Sequence, residues 1–238
     1  MRLDYFDKIF VINLPSRADR RKEIDHQLRR LGLSLRDERV VLFPAVRPNT
    51  AGSFPSIGAH GCFMSHLGVL RMAQSHGLNN ILILEDDCDF SKHAKKQTPQ
   101  LVAALQQIDW ALFYGGALNT FEAQPLGHDL QLVNASAGLM GSHCIAVSER
   151  VVSQLVAYFE AMLKRPAGSP EGGPMHVDGA YSWFRKEHPE LISVIADPEW
   201  AFQRSSATDV HEQRWFDRIL LLRKIIALLR KIKNIVAR

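Results

Sequence analysis

Apolar residues recur along this chain with two periods, one of strands and one of helices. Residues 8–14 (KIFVINL) form a nearly continuous apolar run closed by Pro15, the pattern of a first strand. Residues 18–31 place Ile24, Leu28 and Leu31 on one helical face, with Gly32 positioned to end that helix. Residues 40–43 read as a short strand stopped by Pro44, and residues 47–58, rich in Pro, Gly, Ser and Thr, as a loop. Helical spacing returns over residues 59–76 through Phe63, Leu67, Leu70 and Met72. Residues 81–84 (ILIL) are too short a run for a buried helix and predict a central strand buried on both faces.

Further along, Thr98-Pro99 reads as a helix start, a hydroxyl cap followed by proline in the first turn, for a helix reaching Gln107. Residues 109–114, 130–133, 143–147 and 192–195 predict strands. Residues 149–164 predict a helix burying Val152, Leu155, Val156, Phe159 and Leu163. The segment 166–174 holds three Pro and three Gly in nine residues and reads as a mobile lid, after which Asp178 caps a helix over 179–187. Residues 197–209 read as a loop. Strands alternating with helices in this way predict an α/β domain.

The acids Glu85, Asp86, Asp87 and Asp89 follow directly on the ILIL strand. In an open α/β sheet the carboxyl ends of the strands are where ligands bind, and four carboxylates in five residues repel one another unless a cation or hydrogen-bonding ligand compensates them. Oxygen-rich sites suit Mg²⁺ or Mn²⁺, and either Glu85 with Asp87 or Asp87 with Asp89 has the spacing to hold one ion; a solvated acidic loop is the competing reading. Arg17, Arg20 and Arg21 cluster where the first strand meets its helix, a position suited to a nucleotide's phosphates, or to a solvated basic turn. Gly115-Gly116 closes a strand where a ligand can approach the backbone, or simply marks a tight turn.

Composition adds little to the fold and something to the setting. The chain has 238 residues, 46% of them hydrophobic and 23% charged, enough for an ordinary core. Cys62, Cys88 and Cys144 lack metal-ligand spacing and read as free packing thiols in a reducing cytoplasm. Asp4 and Asp7 stand where a secretion signal needs basic residues, and no apolar run reaches membrane-spanning length. Of the net charge of +4, residues 211–238 carry +6, from eight Lys or Arg against Glu212 and Asp217, which leaves −2 for the rest. This is not the spread of charge of a nucleic-acid binder. From Ile219 onward Leu221, Leu222, Ile225, Leu228, Leu229, Ile232, Ile235 and Val236 fill one helical arc, and Arg223, Lys224, Arg230, Lys231 and Arg238 the opposite one. Such a helix suits an anionic membrane surface, or packs on the domain or a second subunit.

Three stretches together resemble glycosyltransferase family 25, the group of the bacterial lipooligosaccharide galactosyltransferases. They are Phe10-Val11-Ile12-Asn13-Leu14 with Arg17, Asp19, Arg20 and Arg21; the segment GAHGCFMSH from Gly58 to His66; and Ile83-Leu84-Glu85-Asp86-Asp87. The resemblance covers residues 7–210 and implies a GT-A-type, Rossmann-like nucleotide-sugar-binding domain over residues 1–210, with residues 211–238 as a separate basic amphipathic helix. It implies an inverting transfer of a sugar, galactose by family expectation, from a UDP-sugar to a lipooligosaccharide or lipopolysaccharide acceptor, with Mn²⁺ or Mg²⁺.

On this resemblance Glu85 and Asp87 hold the metal, with Asp89 as an added acid and His211 as a candidate ligand from the C-terminal region. Asn13, Arg17, Arg20, Ser65, His66 and Asp86 fall in the donor-binding motifs. An inverting transferase also needs a carboxylate base, and Asp178, outside the acidic cluster, is the candidate. The basic tail fits peripheral attachment to the cytoplasmic face of the inner membrane. Two other readings stand beside this one: a metal-dependent phosphotransferase using Asp87 of the Asp87-Cys88-Asp89 pattern, and a non-catalytic, membrane-attached nucleotide-binding protein.

Overall fold

A computed structural model describes residues 3–204. After a short 3₁₀ turn at Leu3–Tyr5 the elements run β1 (Lys8–Asn13), α1 (Ala18–Arg30), β2 (Val40–Pro44), α2 (Ile57–Ser75), β3 (Ile81–Glu85), β4 (Cys88–Phe90), α3 (Ala94–Leu105) and β5 (Trp110–Tyr114). They continue with β6 (Ala123–Gly127), β7 (Leu130–Val133), β8 (Cys144–Val147), α4 (Glu149–Lys164), α5 (Val177–Glu187), β9 (Ile192–Ala196) and β10 (Ala201–Gln203).

Eight strands make one sheet in the order β2-β1-β3-β8-β5-β9-β7-β6, and β4 with β10 form a separate two-stranded ribbon. Strands β2, β1 and β3 are parallel, as are β5 and β9, while β8 runs antiparallel between the two groups. Crossover helices lie on both faces. Side-chain alternation divides the core accordingly: Phe10, Ile12, Ile81 and Ile83 pack with α2, α4 and α5, whereas Ile9, Val11, Leu82 and Leu84 pack with α1 and α3. Burial on both sides is why β1 and β3 read as continuous apolar runs. The expected Rossmann-like α/β layout is present, with Glu85 at the carboxyl end of β3 in the Ile81–Ile83 row.

Four expectations need correction. The third helix begins at Ala94, with His93 at its cap, so Thr98 and Pro99 lie inside it. Buried Trp200 donates its indole N–H to both the Ala94 carbonyl and the Thr98 hydroxyl, and Thr98 Oγ1 bonds back to Ala94 O at 2.6 Å. Tertiary packing here overrides a local start signal. His176, not Asp178, occupies the cap of α5, which puts Asp178 in the first turn. The expected loop over 197–209 contains β10, whose Phe202 pairs with Asp89. The 166–174 stretch, read as a lid, folds onto α4 and α5 as a packed corner. Arg165 Nη1 donates to the Glu171 and Gly172 carbonyls there, Gly172–Pro174 are buried, and a Cβ on Gly173 would lie 2.2 Å from Pro166 O. No helix among the described residues is long and apolar enough to cross a membrane. His211 and the amphipathic stretch 211–238 lie outside the described residues.

Candidate active site

The segment GCFMSH is two interleaved pairs, each spaced by one helical turn. Gly61 and Ser65 face the chain leaving β2: a Cβ on Gly61 would lie 2.5 Å from Val46 O, Ser65 Oγ donates to Gly61 O at 2.6 Å, and Val46 N–H donates to Ser65 Oγ at 2.8 Å. Cys62 and His66 lie one step round the helix and face β3, where His66 Nε2 lies 3.3 Å and Cys62 Sγ 3.6 Å from Glu85 Oε1. Ser142, on the segment entering β8, donates to the same oxygen at 2.5 Å. His66 Nδ1 is 3.2 Å from the buried hydroxyl of Tyr181 on α5. Burial works against the Glu85 carboxylate, but the His66 and Ser142 donors outweigh it and hold the carboxyl well below its usual range.

The other acids have separate fates. Asp86 is held by Arg20 Nη1 and Asn13 Nδ2, both at 2.8 Å, and so ties the β1–α1 junction to the end of β3. Asp89, within the β4–β10 ribbon, is fully buried with Arg204 Nε at 3.1 Å, which engages it away from the pairing with Asp87 that its spacing allows. Asp87 Oδ2 takes the Gln203 amide at 3.2 Å and lies 3.4 Å from Arg20, but Asp87 Oδ1 is buried with no hydrogen-bond partner among the described residues. Burial first, and then the neighbouring Glu85 charge, push the Asp87 carboxyl well above its usual range, with Arg20 compensating in part.

Among the described residues the buried acids Asp86, Asp87 and Asp89, with half-buried Glu85 beside them, meet two buried arginines, Arg20 and Arg204, one of which also pairs with Glu23, so positive charge is in deficit. A buried deficit of that sign, with an orphaned carboxylate oxygen, fits a hard divalent cation held by Asp87 and Glu85.

A cavity of about 320 Å³ opens at the carboxyl ends of β1, β2 and β3. Ile12, Leu14 and Val46 give it an apolar wall, while Arg20, Arg47 and Glu85 supply charge. Ser65 and Asp86 reach it as expected residues; Cys62 and Arg47 reach it unannounced. Arg17 lies at the head of α1 with its guanidinium on Asp19 at 2.8 Å.

Gly115 and Gly116 serve packing. A Cβ on Gly115 would sit 2.6 Å from Cys144 Sγ, and one on Gly116 2.2 Å from Ala201 O, so these glycines admit β8 and β10 rather than a ligand. Asp178 Oδ2 accepts from Gly141 N at 3.0 Å and Oδ1 from Gly179 N at 2.8 Å, so Asp178 is linked to Glu85 through the Gly141-Ser142 dipeptide.

A family model described as glycosyltransferase family 25 (LPS biosynthesis protein) matches residues 6–131, more than half of the chain and all of the segments just described up to β7. The chain belongs to glycosyltransferase family 25. Human procollagen galactosyltransferase 2 is 31% identical over 132 residues, covering 47% of this chain and 21% of that protein. A bovine family 25 relative, named a probable inactive glycosyltransferase 25 family member 3, is 28% identical over 129 residues, covering 47% of this chain and 22% of its own length. The chain therefore spans about a fifth of the length of these curated relatives. Among solved structures, a glycosyltransferase involved in glycosylation of the major capsid of PBCV-1 aligns with 10% identity over 80% of this chain and 81% of that one, at a TM-score of 0.49.

Proposed function

We propose that this family 25 member transfers a glycosyl group from a UDP-sugar to an acceptor hydroxyl with inversion. The observation that carries the proposal is the buried Asp87 oxygen left without a partner among the described residues, two positions from Glu85, which lines the cavity on the carboxyl edge of the parallel strands. Glu85 and Asp87 would hold Mn²⁺ or Mg²⁺. Such an ion, when bound, neutralises charge on a departing diphosphate.

The rest of the chemistry falls to the chain's own residues. The Ile12–Leu14–Val46 wall meets the base, and Arg47 faces the phosphates. His66, Cys62 and Ser142 fix one oxygen of Glu85, so its carboxylate does not have to reorganise. Asp178 takes the acceptor proton as the new glycosidic bond forms at the anomeric carbon and the bond to the UDP oxygen breaks. Galactose as the sugar and a lipopolysaccharide-type acceptor are supported by the family's description and by the relatives named as procollagen galactosyltransferases.

UDP with Mn²⁺ should raise the melting temperature of the purified chain by roughly 5–10 °C at about a hundred times its Kd, since such a ligand adds about 2.7 kcal/mol and a domain of this size gains about 2–4 °C per kcal/mol. No shift with UDP under any metal condition would overturn the donor assignment. A second reading, a nucleotide-binding protein without turnover, draws on the relatives named inactive. UDP-sugar hydrolysis or transfer would exclude it.

The basic tail fits attachment to the cytoplasmic face of an anionic membrane, at about 1 kcal/mol per basic residue near the lipid. Deleting residues 214–238 should then release the chain from anionic vesicles in a sedimentation assay, with neutral vesicles as the control. Unchanged pelleting would refute that attachment.

A further inference from the structure

The thiol and imidazole that converge on Glu85 beside the cavity enter the glycosyl-transfer reading only as hydrogen-bonding groups that hold its carboxylate, and their geometry allows a second use. We propose that Cys62, His66 and Glu85 are the three protein ligands of a transition-metal site, of the kind that takes Zn²⁺, opening onto the cavity. Their donor atoms all lie within 4.8 Å of one another. A tetrahedral Zn²⁺ with about 2.3 Å to sulfur and about 2.0 Å to nitrogen and oxygen separates nitrogen from oxygen by about 3.3 Å and sulfur from oxygen by about 3.5 Å. His66 Nε2 and Cys62 Sγ lie 3.3 and 3.6 Å from Glu85 Oε1, so two edges of the tetrahedron are already formed.

Two further features match a metal centre. The remaining nitrogen of His66, Nδ1, is held by the buried Tyr181 hydroxyl, the outer hydrogen bond that orients a ligating imidazole. Cys62 and Glu85 both line the cavity, so the fourth position faces a space able to admit water or an anionic ligand. The ligand set, one thiolate, one imidazole and one carboxylate, suits a borderline ion, in contrast to the all-oxygen pair at Asp87.

Binding has a defined proton balance. The Cys62 thiol loses its proton to solvent as the sulfur–metal bond forms. The His66 proton moves from Nε2, where it serves Glu85, to Nδ1, and the Tyr181 hydroxyl turns from donor to acceptor. Starting from a neutral imidazole, ion binding releases one proton, that of the Cys62 thiol.

The full chain, stripped of metal and titrated with Co²⁺ as an optical stand-in for Zn²⁺, should show a thiolate-to-cobalt charge-transfer band that saturates at one ion per chain and disappears when Zn²⁺ is added. Calorimetry in two buffers should give about one proton released per ion. Cys62→Ser should abolish the band while Cys88→Ser retains it. Tyr181→Phe should weaken Co²⁺ about 10- to 100-fold. Asp87→Asn should keep the band even where it removes Mn²⁺-dependent UDP binding, which distinguishes this ligand set from the donor-metal pair although the two share Glu85. Absence of a thiolate band in the wild type, or its survival in Cys62→Ser, would overturn the proposal and leave the three residues as a hydrogen-bonded clamp on Glu85.

Discussion

Replacing Asp87 by Asn will remove the Mn²⁺-dependent part of the UDP stabilisation and lower glycosyl transfer by about 10²- to 10³-fold, the range seen when one electrostatic contact to developing charge is deleted. The same variant will melt no lower than the wild type without ligand, because a buried carboxylate with one unpartnered oxygen, pressed by the neighbouring Glu85 charge, is replaced by a neutral amide of the same shape. Lost function with retained or higher stability is the signature of a strained ligand site. A purely structural Asp87 would give the opposite pair of results, a lower melting temperature with UDP binding intact. Thermal unfolding with and without UDP and Mn²⁺ reads both at once.

The reason Asp87 is singled out lies in how its neighbours are neutralised. Arg20 reaches from α1 to Asp86 and Asp87, and Arg204 reaches from the end of β10 to Asp89, with further contacts to Glu23 and to the Asp86 carbonyl. Asp86 and Asp89 are thereby consumed in fixing the β3–β4 turn. Glu85 has one oxygen saturated by donors. What is left over is the unpartnered Asp87 oxygen, at a turn held rigid on both sides. A short acidic motif divides in this way into acids that build the turn and acids that the turn presents.

Much of this architecture was legible from hydrophobic pattern alone. β1, β3 and β5 announce themselves because strands covered on both faces are nearly all apolar, and α4 because its apolar residues recur with helical spacing along a strongly two-sided helix. The acids at the end of β3 followed from the same logic. What stayed hidden depends on partners far along the chain. β10 has no strand signal of its own and exists through pairing with Cys88–Phe90. Asp89 looks like a ligand until Arg204, 115 residues away, is brought to it. The glycines at 115 and 116 look like a ligand approach, and only the neighbouring Cys144 and Ala201 show that they make room for packing.

Cys62 is the sharpest case. Cysteine-to-cysteine spacing carries no metal pattern in this sequence, and the thiol reads as packing. The four-residue step from Cys62 to His66 on a helix was nevertheless visible, and it is the step that puts two ligand-type side chains on one face. The signal became informative only when β3 delivered Glu85 to that face.

Asp178→Asn separates the role of base from the role of support. Asp178 accepts the Gly141 amide, and Gly141 precedes Ser142, which bonds Glu85, so a structural Asp178 would act on the donor site through that segment. An asparagine at this position keeps a carbonyl oxygen for the Gly141 N–H but has no basic oxygen for the acceptor proton. Transfer to acceptor should therefore fall by about 10²- to 10⁴-fold in kcat, the usual worth of general-base catalysis, with the UDP–Mn²⁺ melting shift unchanged. If the shift falls together with kcat, Asp178 is a support of Glu85 and the base must be sought among other residues. If neither changes, Asp178 is an ordinary first-turn carboxylate of α5 and has no part in the reaction.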